Sequence, residues 1–245
     1  MSARIVLLFF LSTIFMGAVP TPEFPSLSMS VNVNEATIVF GPPRAPQTVT
    51  GAAYSADQVL EQTKTLQDGT HRTRSSVIGH LFRDSQGRAR MEQAWKAAPF
   101  WITEIFDPVG GFAYILDEQK KIAHRMVIQP PPPQSVATRQ SDGLLQTTTE
   151  KLGLQTIEGV IAEGTRTTTI IPAGAERNAQ PTTLTFETWD SQELKVTVLT
   201  RSSNGYTTRL TNLSPVEPDP KRFQPPAHYA VVDEKESFTM TVKFQ

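Results

Sequence analysis

The feature that most limits the fold of this chain is the spacing of its turn residues between Trp101 and Asn212. Runs rich in Thr, Val and Ile are broken by Gly, Asp and Asn at intervals too short for helices. WITEIF (101–106), GFAYIL (111–116) and KIAHRMVI (121–128) are divided by Asp107-Pro108-Val109-Gly110-Gly111 and Asp117-Glu118-Gln119-Lys120. GVIAEGTRTTTII (159–171), TTLTFETW (182–189), ELKVTVLTR (193–201) and YTTRLTN (206–212) continue the pattern. β-Branched and aromatic residues suit a pleated, half-buried surface, and strands in series with tight turns pair antiparallel. The pattern therefore predicts a mainly β protein with little helix. Its antiparallel meander would form a twisted sheet or an incomplete (half) barrel.

Two local readings sharpen this. SADQVLEQ (55–62) can open a helix, with Ser55 as N-cap and Gln58 closing a capping box, but Thr63 and Thr65 continue it better as a strand. Asn204-Gly205 suits the positive φ angles of a two-residue type I′ turn, which places Leu199 opposite Leu210 and Val196 opposite Leu213.

The chain opens MSARIVLLFFLSTIFMGAVP. Arg4 precedes an uncharged apolar run from Ile5 to Val19, which fits the apolar region of a secretory signal better than a membrane span of about 20 residues. Residues 1–19 are expected to be a signal peptide. Its cleavage point is open, with Met16-Gly17-Ala18 and Ser26-Leu27-Ser28 both imperfect and the cut possibly as late as residue 28. Six prolines between 20 and 46 make residues 20–49 an extended lead-in. Residues 50–245 are expected to be a single β-rich domain with a Pro-rich internal loop at 130–143. The chain has no cysteine, so neither a disulfide nor a cysteine-linked lipid anchor is available to it. A formal net charge of −1 argues against a nucleic-acid partner, and no second apolar stretch reaches bilayer length. The expected location is the periplasm or the extracellular space.

Chemistry is hard to find in these residues. His71, His80, His124 and His228 are scattered without ligand spacing, so no metal site is expected, nor is any cofactor. There is no G-x-S-x-G elbow, no Ser-x-x-Lys pair and no phosphate loop, and the expectation is a protein that is not an enzyme. Thr165, Thr167 and Thr169 alternate onto one face of their strand, with Arg166 and Thr168 on the other. A threonine face can bind ice or sugar, although a β-branched strand with solvated hydroxyls is the commoner case. Trp101, Phe106, Phe112 and Tyr114 cluster on one hairpin whose strands are apolar on both faces. Such strands are covered on both sides, either by core and a covering loop or helix or by core and an apolar ligand, and these four are the candidate ligand contacts.

HRTRSSVIGHLFRDSQGRAR (71–90) holds five arginines, two histidines and one acidic residue. A three-residue loop of Ser85, Gln86 and Gly87 sets Asp84 against Arg88, Phe82 against Arg90, Leu81 against Met91 and His80 against Glu92. A two-residue loop would set Arg83 against Arg88 instead. In the favoured register Arg72, Arg74, Arg88 and Arg90 share one face, a candidate anion-facing stripe partly neutralised by Asp84 and Glu92, while Arg83 lies on the other.

The blocks YSADQVLEQTKTLQDGTHRTR, LFRDSQGRARMEQ, FDPVGGFAYILDEQKKIAHR, LGLQTIEGVIAEGTRTTTIIPAG, ETWDSQELKVTVL and RLTNLSPVEPDPKRFQPPAHYAV together resemble a family of exported bacterial β-rich proteins of uncharacterised activity. The meander and the closing Pro-Asp-Pro…Phe…Pro-Pro segment (218–226) resemble, more distantly, the periplasmic outer-membrane lipoprotein carriers. That second resemblance implies an incomplete antiparallel barrel whose concave face holds acyl chains, yet the covering helices of the carriers have no evident counterpart here. No ligand residue is carried over. The function expected from the whole is an exported cell-envelope binding protein for an apolar or amphiphilic molecule such as a lipid. The alternative is a structural or interaction module with an envelope protein as its partner.

Overall fold

The computed structural model describes residues 26–32, 34–44, 48–94, 100–130, 146–174 and 180–244. Strands β1 (Ser26–Val31) and β2 (Glu35–Phe40) come first. An up-and-down run follows: β3 (Tyr54–Thr65), β4 (His71–Arg83), β5 (Ala89–Ala94), β6 (Trp101–Asp107), β7 (Phe112–Asp117) and β8 (Ile122–Val127). The second run is β9 (Gln146–Ile157), β10 (Val160–Ile171), β11 (Thr182–Ser191), β12 (Val196–Ser202) and β13 (Tyr206–Ser214). A 3-10 turn (Pro220–Phe223), β14 (Ala230–Asp233) and β15 (Phe238–Lys243) close the chain. The SADQVLEQ segment is strand, and no α-helix occurs among the described residues.

Twelve strands form one sheet in the order β14-β8-β7-β6-β5-β4-β3-β13-β12-β11-β10-β9, open rather than closed into a barrel. The two meanders meet where the first strand of one, β3, pairs with the last strand of the other, β13. All neighbours are antiparallel except β14, which lies parallel to β8. The Pro-rich stretch expected as a loop falls beyond the described residues after Pro130, as does the whole proposed signal.

A separate three-stranded sheet, β1-β2-β15, joins the two ends of the described chain. Within the stretch read as a lead-in, Ser26–Val31 and Glu35–Phe40 are thus paired strands. Glu35–Phe40 alternates strictly, with Ala36, Ile38 and Phe40 buried, a pattern hidden in the sequence by the prolines on either side. Ile38, Phe40, Phe238 and Met240 of this sheet pack on Ile102, Phe106, Ala113, Ile115 and Met126 of β6–β8. The other face of β6–β8 presents Ile105, Leu116 and Ala123 to Phe223 of the 3-10 turn. Strands β6–β8 are therefore buried on both sides, as the sequences of β6 and β7, apolar on both faces, implied. Ile105 and Ile115 are both fully buried, each worth about 1.5–3 kcal/mol in transfer terms.

Turn geometry sets the registers. Gly87 (φ 85°) closes the β4–β5 loop, and Phe82–Arg90, Leu81–Met91 and His80–Glu92 are opposite as the three-residue loop required. The Asn204-Gly205 turn differs from its expected form. Arg201 faces Thr207 and Leu199 faces Arg209, a shift of one residue, and of the two turn residues only Gly205 has positive φ (86°). The two-residue turn with both central residues at positive φ is Glu158-Gly159 (47° and 82°), between paired Ile157 and Val160.

Candidate functional site

The four aromatic candidates do not converge on one lining. Phe106 is 4% exposed and sits in the core beneath the small sheet. Alternation turns Trp101, Phe112 and Tyr114 to the opposite face. There Tyr114, opposite Ile105, packs toward Phe223. The Phe112 ring lies 4.7 Å under the Arg125 guanidinium, which Asp233 holds at 2.6 Å. Hydrogen bonding to Asp233 raises the Arg125 pKa and lowers that of Asp233. Trp101, 43% exposed, stacks on the His80 imidazole at 5.1 Å.

The arginine stripe is split. Gln58 and Val59 face Gly79 and Val77, so Ile78 is an extra residue and a β-bulge reverses the alternation within β4. Arg72 and Arg74 consequently share the side of Arg83, away from Arg88 and Arg90. The last two are engaged. Arg88 binds Asp84 at 2.5 Å and lies over the Phe223 ring, and Arg90 binds Glu92 at 2.7 Å and the Arg222 carbonyl at 3.3 Å. Arg83 is buried under Tyr54 and donates to the carbonyls of Ala52 and Leu194. Burial lowers its pKa and raises that of the Tyr54 phenol. Arg72 and Arg74 stay exposed, opposite Lys64 and Gln62 respectively.

Around His80, Asp57 accepts from Asn212 Nδ2 at 2.6 Å and meets His80 Nδ1 at 2.6 Å. The Asn212 bond, followed by the His80 bond, lowers the Asp57 pKa. A depressed folded pKa contributes stability above the unfolded value of about 3.9, and this contribution is lost as pH falls through the folded value. Urea midpoints of the wild type and Asp57→Asn should differ at pH 6 and draw together below pH 4. A gap of constant size down to pH 3 would show that the carboxylate charge is not what stabilises this cluster.

Elsewhere His124 Nδ1 pairs with Glu234 at 2.7 Å and its ring stacks on Phe238. Among the described residues no group of three His, Asp or Glu side chains stands at cation-binding spacing. Nor is any helix among them long and apolar enough to cross a membrane.

What sequence reasoning missed is a pair of contrasting faces on β10–β13 and β3. Thr165, Thr188, Thr200 and Thr208 stand opposite one another on successive strands, and the row ends at Leu60. Beside it run Thr149, Thr167, Phe186 and Ser202, then Thr147, Thr169 and Leu184. Tyr206 lies on the same side, its hydroxyl accepting from Gln62 Nε2 at 2.6 Å. Leu184 and Tyr206 are 43% and 41% exposed. On β10–β13 and β3 these rows hold hydroxyls, methyls and rings and form an uncharged face, in which Thr188 is buried. Charge bounds it at Lys151 of β9, opposite Thr165 and paired with Glu163 at 2.6 Å, and at Glu163 and Asp190, which face each other one row further in.

The reverse of the same strands is a ladder of alternating charge. Glu150, Arg166, Glu187 and Arg201 are opposite in turn, joined by ion pairs of 2.7, 2.7 and 3.4 Å. Bonds to Glu187 and Glu150 raise the Arg166 pKa. Past Thr207 the series resumes at Glu61, which holds Arg209 at 3.0 Å. The alternation of Thr165, Thr167 and Thr169 was legible in one strand; the array needed the pairing partners. The chain matches no protein-family model and no curated protein.

Proposed function

We propose that the protein is an exported, non-catalytic binding protein of the cell envelope that holds an amphiphilic molecule against the uncharged face of β10–β13 and β3. The observation that carries this reading is the contrast between the two faces of the same strands. On one, carboxylates and guanidinium groups pair off across the sheet. On the other, threonine methyls and hydroxyls surround Phe186, Leu184 and Tyr206. A face of that composition can meet an alkyl chain through methyls and rings while its hydroxyls satisfy polar atoms. This site replaces the aromatic hairpin, whose Phe106 is occupied in the core.

Phe186 is half-buried and belongs to the open face, so a charge there should disturb binding more than folding. Native mass spectrometry of protein recovered from the envelope fraction should show a co-purified lipid-sized adduct that Phe186→Asp loses. A bare mass for the wild type, or an adduct unchanged in the variant, would remove this reading. Recovery from the cytoplasm with Met1 retained would remove its location.

A further inference from the structure

We infer that the amphiphile carries an anionic headgroup, bound by Lys64, Arg72 and Arg74 at the margin of the uncharged face; this rests on the binding reading above. The β3–β4 hairpin outruns its neighbours. Pairing of β13 with β3 ends at Tyr206–Gln62, and pairing of β5 with β4 involves only Gly79–Arg83. Every residue from Lys64 to Val77 is exposed. Within this arm Arg72 stands directly opposite Lys64, and Arg74 is two residues along on the same side. Like charges placed opposite each other disfavour strand pairing, so this arrangement works against the fold. Among the described residues none of the three has a carboxylate within ion-pair distance, whereas Arg88, Arg90, Arg166, Arg201 and Arg209 all do.

Position supplies the second argument. Gln62 and Lys64 alternate on β3 with Leu60, so the three cations share the side of the threonine rows. Arg74 faces Gln62, and Gln62 bonds to Tyr206 of the uncharged face. Cation arm and uncharged face are thus one continuous surface. An extended molecule lying across the strands would meet charge at one end and methyls and rings at the other. Arginine guanidinium groups and a lysine ammonium match the oxygens of a phosphate monoester or diester.

Calorimetric titration of the full exported chain with dodecyl phosphate, dodecyl maltoside and inorganic phosphate, all below micelle formation, separates the possibilities. The wild type should prefer dodecyl phosphate over the maltoside by about tenfold, as three exposed charge contacts would give. That preference should shrink as salt rises from 0.05 to 0.5 M. In the triple variant Lys64→Gln, Arg72→Gln, Arg74→Gln it should vanish, with maltoside affinity unchanged. Equal affinities in the wild type, or a preference that survives in the variant, would overturn the headgroup site and leave the amphiphile reading standing. Inorganic phosphate binding as tightly as dodecyl phosphate would overturn it in favour of a free anion. If neither amphiphile binds the wild type, the amphiphile reading falls and the headgroup site with it.

Discussion

Replacing Gly205 with alanine is expected to cost about 3 kcal/mol, enough to lower the melting temperature by roughly 6–12 °C in a chain of this size. Two effects combine. Gly205 has φ of 86°, a region that disfavours L side chains by about 1–2 kcal/mol. A Cβ at this position would also lie 2.2 Å from the Thr63 carbonyl oxygen, which is backbone and must move. Moving it strains the Thr63 N–H to Gly205 carbonyl bond (2.8 Å), which ties the turn to β3 at the junction of the two meanders. Gly69 is the control. Its φ is 81° and nothing lies within 4 Å of an added Cβ, so Gly69→Ala should carry only the first effect. Scanning calorimetry of both variants isolates the close approach. Equal losses would show that Thr63 yields freely.

The same turn shows where sequence reasoning stops. That a hairpin forms at Asn204-Gly205 followed from local chemistry, and it does form. Its register depended on Thr63 of a strand remote in sequence, which bonds to Gly205 and accompanies a three-residue loop. At Asp84–Gly87 the loop length could be chosen correctly because charges and apolar residues flank it in complementary order. The bulge at Ile78 had no such signal, since an extra residue is defined only against a partner strand. One unpaired residue was enough to divide the arginines between two faces.

Strand identity was readable wherever β-branched runs met Gly or Asp, which covers β6–β8 and β10–β13. The exposed strand β9 was not, because Gln146–Ile157 has little apolar alternation to mark it. Surfaces posed the harder problem. A threonine on β10 acquires meaning from Thr188 and Thr200 opposite it, and those lie in separate runs of the chain. Cross-strand rows are a property of register, so a site built from them stays hidden until register is known.

The aromatic hairpin allows the clearest separation of core from surface. Phe106→Ala should cost about 3–5 kcal/mol, as expected for an aromatic ring removed from a packed interior. Its ring is 4% exposed and fills the space between β6–β7 and the small sheet, among Ile38, Phe40, Met126 and Phe238. These neighbours belong to strands tied into two different sheets, so the space cannot close without parting them. Phe106→Leu keeps most of the volume and should recover more than half of the loss. Trp101 stands at the other end of the same strand, 43% exposed and stacked on His80. Trp101→Ala should cost about 1 kcal/mol, the worth of one aromatic pair at a partly wet site. Urea midpoints at pH 7 give both values. A Phe106→Ala loss no greater than that of Trp101→Ala would mean that the small sheet is not seated on β6 and β7. In that event the covered face of the hairpin would again be open to a ligand, and the uncharged face of β10–β13 would lose its standing as the better site.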